Sequence, residues 1–151
     1  MGESTKITVE GTEKLDNSMK VAFATKDLEM IDAHFGGAQK FVVYNVSKEG
    51  FVLDGVIKTI VSEMTGDEKT EFKIKALEGI NIMYCESIGG TAAAKVIRAG
   101  MNPMKVQEPT LIEEVLKELV EMLNTNPPPW IKRIMSMETT EDPRLARWAA
   151  E

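Results

Sequence analysis

The sequence predicts an α/β domain in which helices cover a mixed β-sheet. Three strand-like segments come first, strand and helix patterns then alternate, and several strand segments are apolar throughout. An unbroken apolar strand is typical of burial on both faces, and strand–helix alternation is typical of layered α/β folds. We therefore predict the order β-β-β-α-β-α-β-α around a five-stranded mixed sheet, in a chain whose 151 residues allow one sizeable core.

The strands are predicted from short runs of apolar, β-branched and aromatic residues. In chain order they cover residues 19–25, 41–46, 51–61, 80–84 and 104–107. The turn composition of residues 47–50 joins the second strand to the third, so these two strands are predicted to form a hairpin.

Three helices are predicted between and after the later strands. The first two cover residues 68–78 and 91–99, and each is followed by a glycine that can end a helix. The third opens at Pro109-Thr110, and its apolar residues recur at intervals of three and four. Thr110 followed by Glu113 has the spacing of a capping box.

These elements place the domain at residues 19–125. Residues 1–18 carry little apolar surface, which predicts a flexible N-terminal extension with a hint of a strand around Ile7. Residues 126–151 are predicted to form a tail that is Pro-rich at its start and helical further on.

Composition excludes several classes of function. A net charge of −6 disfavours nucleic-acid binding, and no apolar run approaches the length of a membrane helix. A single cysteine, Cys85, cannot form an intramolecular disulfide, and a reducing cytoplasm is the expected location.

The only histidine lies in the loop DAHFGGA, residues 32–38, between the first two predicted strands. An imidazole flanked by a carboxylate and two glycines, on a loop held by buried strands, is a candidate ligand site. The alternative is that His34 makes a structural hydrogen bond.

A metal-dependent nuclease is the first enzyme class to test, because this element order suits a ribonuclease H-type fold. Such enzymes bring several carboxylates to two metal ions, and one of these carboxylates lies on the first central strand. Residues 20–25 contain no acid, and Asp32, Asp54 and Glu86 are scattered along the chain. Nuclease chemistry is therefore not expected.

Thiol catalysis is the second enzyme class. Cys85 ends a predicted strand just before a Gly-Gly helix start, where the helix dipole favours a thiolate. The alternative is a small buried residue, and no group that would orient a Cys–His pair is evident.

Binding of an anion or a metal cluster is the third possibility. Gly89-Gly90-Thr91 can converge backbone amides at a helix N-terminus, and Gly36-Gly37 allow a close backbone approach. Imidazole and thiolate both suit iron in a sulfur-rich environment. Two such ligands are too few to build a cluster in place, but they suffice to hold a preformed one and release it.

Two motifs carry a resemblance to a known family. The first comprises residues 19–25 (MKVAFAT) and 31–38 (IDAHFGGA), and the second comprises residues 88–94 (IGGTAAA) with Ala99-Gly100. In this order and spacing they resemble the dinitrogenase iron–molybdenum cofactor biosynthesis family over residues 19–123. The segment NPPPW at residues 126–130 resembles the NifX branch of that family.

The resemblance implies a ribonuclease H-like fold without nuclease activity, in a protein that is not an enzyme. It implies a carrier or chaperone that transiently binds iron–sulfur precursors of the iron–molybdenum cofactor, or the cofactor itself. The implied metal ligand is His34, and Cys85, which is not part of the common family pattern, is a second candidate. The expected surroundings of the cargo are Gly36, Gly37, Gly89, Gly90 and Thr91.

The implied partners are the cluster-building enzyme, the scaffold complex and apo-dinitrogenase. The alternative is a chaperone or regulator that binds apo-dinitrogenase or the scaffold through protein contacts alone. In that alternative the Pro-rich tail would matter more than the His34 loop.

Overall fold

The computed structural model describes residues 3–8, 18–60 and 66–137, and these contain eight strands and four helices. The strands are β1 (Glu3–Thr8), β2 (Met19–Ala24), β3 (Met30–Ile31), β4 (Lys40–Ser47), β5 (Gly50–Ile60), β6 (Ile82–Cys85), β7 (Asn102–Lys105) and β8 (Thr110–Leu111). The helices are α1 (Gly66–Ala76), α2 (Gly90–Arg98), α3 (Ile112–Thr125) and α4 (Pro129–Met137).

The main sheet in this part of the chain has six strands in the order β1-β5-β4-β2-β6-β7. Its first four strands pair antiparallel, whereas β2, β6 and β7 run parallel to one another. β3 and β8 pair antiparallel in a separate small sheet. The prediction of an α/β fold with a mixed sheet is confirmed, and all five predicted strands are present.

The sixth strand, β1, comes from the segment that we predicted to be a flexible extension. Its residues pair in register with residues 55–60 of β5, at an edge of that strand not used by β4. Backbone hydrogen bonding to a long strand explains this pairing, for which the apolar content of the segment gave little signal. The rest of the predicted extension, residues 61–65 and the tail beyond residue 137 lie outside the described residues.

The two faces of the sheet carry separate cores because side chains alternate along each strand. Ala22 and Ala24 of β2 belong to the core that includes Val96 of α2. Val21 and Phe23 belong to the opposite core, which includes residues of α3 and α4. Burial on both faces explains the unbroken apolar run of β2.

The start of α3 differs from the prediction. Thr110 and Leu111 form β8, so the helix begins at Ile112 with Leu111 as its N-cap and without a side-chain capping bond. The Thr110 hydroxyl instead donates to the carbonyl of Glu108 at 2.8 Å. The predicted capping box is therefore wrong, because pairing with β3 holds Thr110 in extended backbone.

α4 packs against the domain that we predicted to end at residue 125. Ile131 of α4 is fully buried and shares a core with Leu116 and Leu123 of α3. No helix in the described ranges has the length and apolar content needed to cross a membrane.

Candidate functional site

The candidate site lies where the chain leaves β2 and β6. These strands are parallel neighbours, with Val21 opposite Ile82 and Phe23 opposite Tyr84, so both end at the same edge of the sheet. We call residues 32–38 the His34 loop and residues 86–90 the Ser87 loop. Crevices at the carboxyl ends of parallel strands are common ligand sites in α/β folds.

Backbone hydrogen bonds join the two loops on either side of His34. The Glu86 N–H donates to the Ala33 carbonyl at 2.9 Å, and the Phe35 N–H donates to the Ser87 carbonyl at 2.8 Å. Ala33 and Phe35 are buried, whereas His34 between them is exposed. The loop pairing therefore turns the imidazole outward while its neighbours anchor it in the core.

The imidazole is also held through its side chain. His34 Nδ1 hydrogen-bonds with the hydroxyl Oγ of Ser87, which can donate to a bare Nδ1 or accept from a protonated one. No hydrogen bond links Nε2 to any of the described residues. In the tautomer that carries its proton on Nδ1 and donates to Oγ, Nε2 is bare and can bind a metal atom, which is the usual arrangement for a ligating histidine.

Four glycines of the two loops expose bare backbone. A Cβ added at Gly36, Gly37, Gly89 or Gly90 would meet no atom within 4 Å, and none of the four has the positive φ that requires glycine. Gly50, Gly79 and Gly100 do have positive φ and serve turns. Neither a steric contact nor a positive φ thus requires glycine at these four positions, although Gly89 is the N-cap of α2, where glycine is favoured. Close approach of a ligand to the peptide groups would require all four. The predicted site residue Thr91 is exposed in the first turn of α2.

A buried lysine supports the His34 loop from below. Lys73 of α1 is 1% exposed, and its ammonium donates to the carbonyls of Phe35 at 2.9 Å, Gly36 at 2.7 Å and Ala38 at 2.8 Å. Burial lowers the pKa of Lys73 to about 8, and the positive charge of Lys69 adds to this shift.

Sequence reasoning missed both Ser87 and Lys73. A serine after a strand and a lysine in a helix carry no distinctive pattern. The available signal was helical spacing, because Lys73 precedes by four positions the fully buried Leu77, whose N–H continues the helical hydrogen bonding to the Lys73 carbonyl just past α1.

The structure does not bring Cys85 to the surface beside His34. Its side chain is fully buried in the core that includes Phe41 and Val96. Burial raises the pKa of the Cys85 thiol to about 11, and neither the charge of Lys105 nor a backbone hydrogen bond with Phe35 offsets it. The helix dipole therefore does not favour a thiolate here as the sequence suggested, and a thiol nucleophile has no support.

The carboxylates do not form a metal centre either. Within the described ranges, no three His, Cys, Asp or Glu side chains are grouped so that they could hold a metal ion. Asp32 accepts a hydrogen bond from the backbone N–H of Lys26 at 2.8 Å, which is a loop-stabilising role. Lys95 of α2 pairs with Glu71 at 3.2 Å and Asp67 at 3.6 Å.

A groove of about 610 Å³ lies elsewhere, between the β4–β5 turn and the α3–α4 connection. Ser47 and Lys48 line it from the turn, at the opposite end of β4 from the His34 loop. Its lining contains no histidine or cysteine. We therefore assign the candidate metal chemistry to the two loops and not to this groove.

A model of the dinitrogenase iron–molybdenum cofactor family matches residues 17–122. The chain belongs to this family. Protein NifX of Sinorhizobium fredii is 34% identical over 137 residues, which cover 86% of each chain. Protein NifX of Azotobacter vinelandii is 33% identical over 133 residues, 87% of this chain and 83% of that one. The resemblance drawn from the two motifs is thus confirmed.

Two further similarities extend the comparison. The FeMo cofactor biosynthesis protein NifB of Rhizobium meliloti is 33% identical over 105 residues, which are 68% of this chain but 21% of NifB. The crystal structure of PH0822 aligns with a TM-score of 0.50 at 21% identity, covering 68% of this chain and 91% of that one. The structural similarity supports the family's α/β fold and nothing about function.

Proposed function

We propose that this protein is a non-enzymatic carrier that transiently binds an iron–sulfur precursor of the nitrogenase iron–molybdenum cofactor, or the cofactor itself. The observation that carries the proposal is an exposed imidazole, fixed through Nδ1, between two loops whose glycines the fold does not require. The family match and the names of the NifX and NifB relatives support a role in biosynthesis of this cofactor for nitrogen fixation.

In this proposal, Nε2 of His34 ligates an iron atom of the cargo. Bare peptide groups of Gly36, Gly37, Gly89 and Gly90, together with Thr91, surround its anionic surface. Cys85 as a second metal ligand stays a prediction, and it requires the side chain to leave the core in which the structure places it.

One imidazole and neutral peptide groups form a weak site for a metal cluster. Weak binding suits a carrier, because the cargo must pass from a cluster-building enzyme or scaffold complex to the apo-dinitrogenase. The proposed role involves no catalytic step and is cytoplasmic. We also assign the fold to the ribonuclease H-like type, which is supported by the order of β5, β4, β2, β6 and β7 with two parallel pairings at one side.

An anaerobic titration with a synthetic iron–sulfur thiolate cluster tests the proposal. We expect the wild-type protein to acquire the cluster's visible absorbance, and His34→Ala to bind at least about tenfold more weakly, a loss of about 1.4 kcal/mol. Gln39→Ala is the matched control, because Gln39 is also exposed and follows the same loop. Equal affinity of His34→Ala and wild type would contradict the ligand assignment.

The alternative function is a chaperone of apo-dinitrogenase or its scaffold that acts through protein contacts alone. The groove beside the α3–α4 connection favours it, since a partner segment could lie between the β4–β5 turn and Lys132. Lys132→Glu should then abolish partner pull-down while leaving cluster uptake unchanged. Under the carrier function, His34→Ala impairs cluster uptake.

A further inference from the structure

The ammonium of Lys73 has an unusual set of partners for a buried charge. Its three N–H groups meet three backbone carbonyls of one loop, at 2.7 to 2.9 Å. The nearby charge that affects its pKa is another cation, Lys69. Burying a cation is unfavourable unless hydrogen bonds replace its water, so this arrangement stabilises one particular conformation of the loop.

The Ala38 carbonyl is fixed from a second side as well. It accepts a hydrogen bond from the Thr59 hydroxyl at 3.0 Å, and the Thr59 N–H donates to the neighbouring Gln39 carbonyl at 2.8 Å. Both Lys73 and Thr59 are buried. The His34 loop is thus attached to α1 and β5 as well as to the Ser87 loop.

Because the peptide group is planar, this attachment of the loop turns one backbone N–H, that of Gly36, outward. The structure has no cis peptide among its described residues, and in a trans peptide the C=O and N–H point in opposite directions. The Phe35 carbonyl accepts from Lys73 at 2.9 Å and, more weakly, from the Ala38 N–H at 3.4 Å, so the Gly36 N–H of the same peptide points away from Lys73. That N–H has no hydrogen-bond acceptor within the described part of the chain, and Gly36 is exposed.

We propose that Lys73 is a positioning residue that holds the Gly36 N–H outward, beside His34, as a hydrogen-bond donor to an anionic sulfide-bearing ligand. This inference rests on the proposed carrier function. Lys73 itself is buried and does not touch the ligand, but its positive charge lies directly beneath the loop. Both the oriented peptide dipole and the charge favour an anion at this surface, as in backbone anion sites elsewhere.

The test compares Lys73→Met with Lys75→Met in the full chain, using the same synthetic iron–sulfur thiolate cluster. Both substitutions remove one positive charge from α1, but Lys75 is exposed. We expect Lys73→Met to weaken cluster binding about tenfold or more, because the Gly36 N–H then loses its hydrogen bond to the anionic ligand. Lys75→Met should bind within about twofold of wild type. Binding is measured well below both melting temperatures, so a purely structural role of Lys73 would lower the melting temperature and leave affinity unchanged.

Amide hydrogen exchange supplies a second readout that does not depend on the folding of Lys73→Met. In the wild-type protein the Gly36 amide should exchange rapidly without cluster and become protected when the cluster is bound. Unchanged exchange of Gly36 on binding, or equal affinities of the two lysine variants, would overturn the inference and leave the carrier function standing. Absence of cluster uptake by the wild-type protein would contradict the carrier function itself and the inference with it.

Discussion

Ser87 Oγ hydrogen-bonds with Nδ1 of His34 across two loops that are 53 positions apart in the sequence. The backbone pairs Glu86–Ala33 and Phe35–Ser87 flank this contact. A histidine placed in this way has one ring nitrogen committed to the protein and the other free for a ligand. The same hydrogen bond fits both the proposed ligand and the structural role of His34, and the variants below separate the two.

Removing the Ser87 hydroxyl should weaken ligand binding without unfolding the loop. Because the two backbone bonds remain, we expect Ser87→Ala to lower cluster affinity about tenfold, the lower end of effects seen for residues that orient metal ligands. Ser87→Thr keeps the hydroxyl and should bind like the wild type. The ¹⁵N chemical shifts of His34 should show a mixture of tautomers in Ser87→Ala alone. Unaltered affinity and shifts in that variant would mean that Ser87 does not orient the ring.

Side chains added to the loop glycines should block the ligand and leave the fold intact. Gly36→Ala and Gly90→Val place atoms in open space, so we expect cluster affinity to fall more than about tenfold while stability changes by less than about 1 kcal/mol. Gly100→Ala is the opposite control, because its φ of +96° makes a side chain unfavourable in a turn that lies outside both loops.

Gly100→Ala should therefore lower the melting temperature and leave cluster affinity unchanged. Thermal unfolding and the anaerobic titration measure the two effects separately. If Gly90→Val destabilises the protein and binds the cluster normally, the Gly-Gly turn is a structural feature only.

The Cys85 thiol should be nearly unreactive in the folded protein. It is fully buried and its pKa is raised to about 11, so both access and thiolate formation are disfavoured at neutral pH. We expect a disulfide reagent such as Ellman's to label it at the rate of local opening, and rapidly after denaturation. Fast labelling of the native protein would show that Cys85 reaches solvent. Cluster affinity of the Cys85→Ala variant then tests its role, because an unchanged affinity would show that Cys85 is not a ligand.

Lys73 should make stability depend on pH in a defined window. Its pKa is lowered from 10.5 to about 8 in the folded protein, so the unfolded chain binds more protons between these values. Its contribution to the free energy of unfolding therefore rises with pH from about 8 to 10.5, by roughly 3 kcal/mol at most, and is lost as the pH falls through 8.

The measurement is the difference in unfolding free energy between wild type and Lys73→Met across this pH range. Taking the difference removes the titration of Cys85 and Tyr84, which both chains share. A flat difference would show that the three carbonyls hold the Lys73 pKa near its ordinary value.

The sheet was predictable because most of its strands have a recognisable local sequence pattern. Val21 and Phe23 face one core and Ala22 and Ala24 the other, so apolar burial on both faces left a continuous run in the sequence. β1 had no such run, and only pairing with β5 makes it a strand. The predicted capping role of Thr110 was wrong for a related reason, since a distant pairing with Ile31 outweighed a local pattern.

The candidate site was predictable in outline and not in its supports. His34 and the glycines form short motifs, so the sequence alone indicated them. The role of Lys73 depends on its contact with Phe35, and the role of Ser87 depends on its contact with His34. Both contacts join residues far apart in sequence, so no local pattern indicates them. Cys85 was placed correctly at the end of a strand, but which way its side chain points depends on strand register.

The four loop glycines have a consequence for how this site passes between related proteins. Peptide groups are the same in every residue. A surface made from them is therefore preserved as long as no side chain covers it, whichever side chains lie elsewhere. Relatives that share only a third of their residues could retain the surface provided that their loops stay bare and a cation stays beneath them. We therefore expect the histidine and the missing Cβ atoms to mark ligand-binding members more reliably than overall identity does.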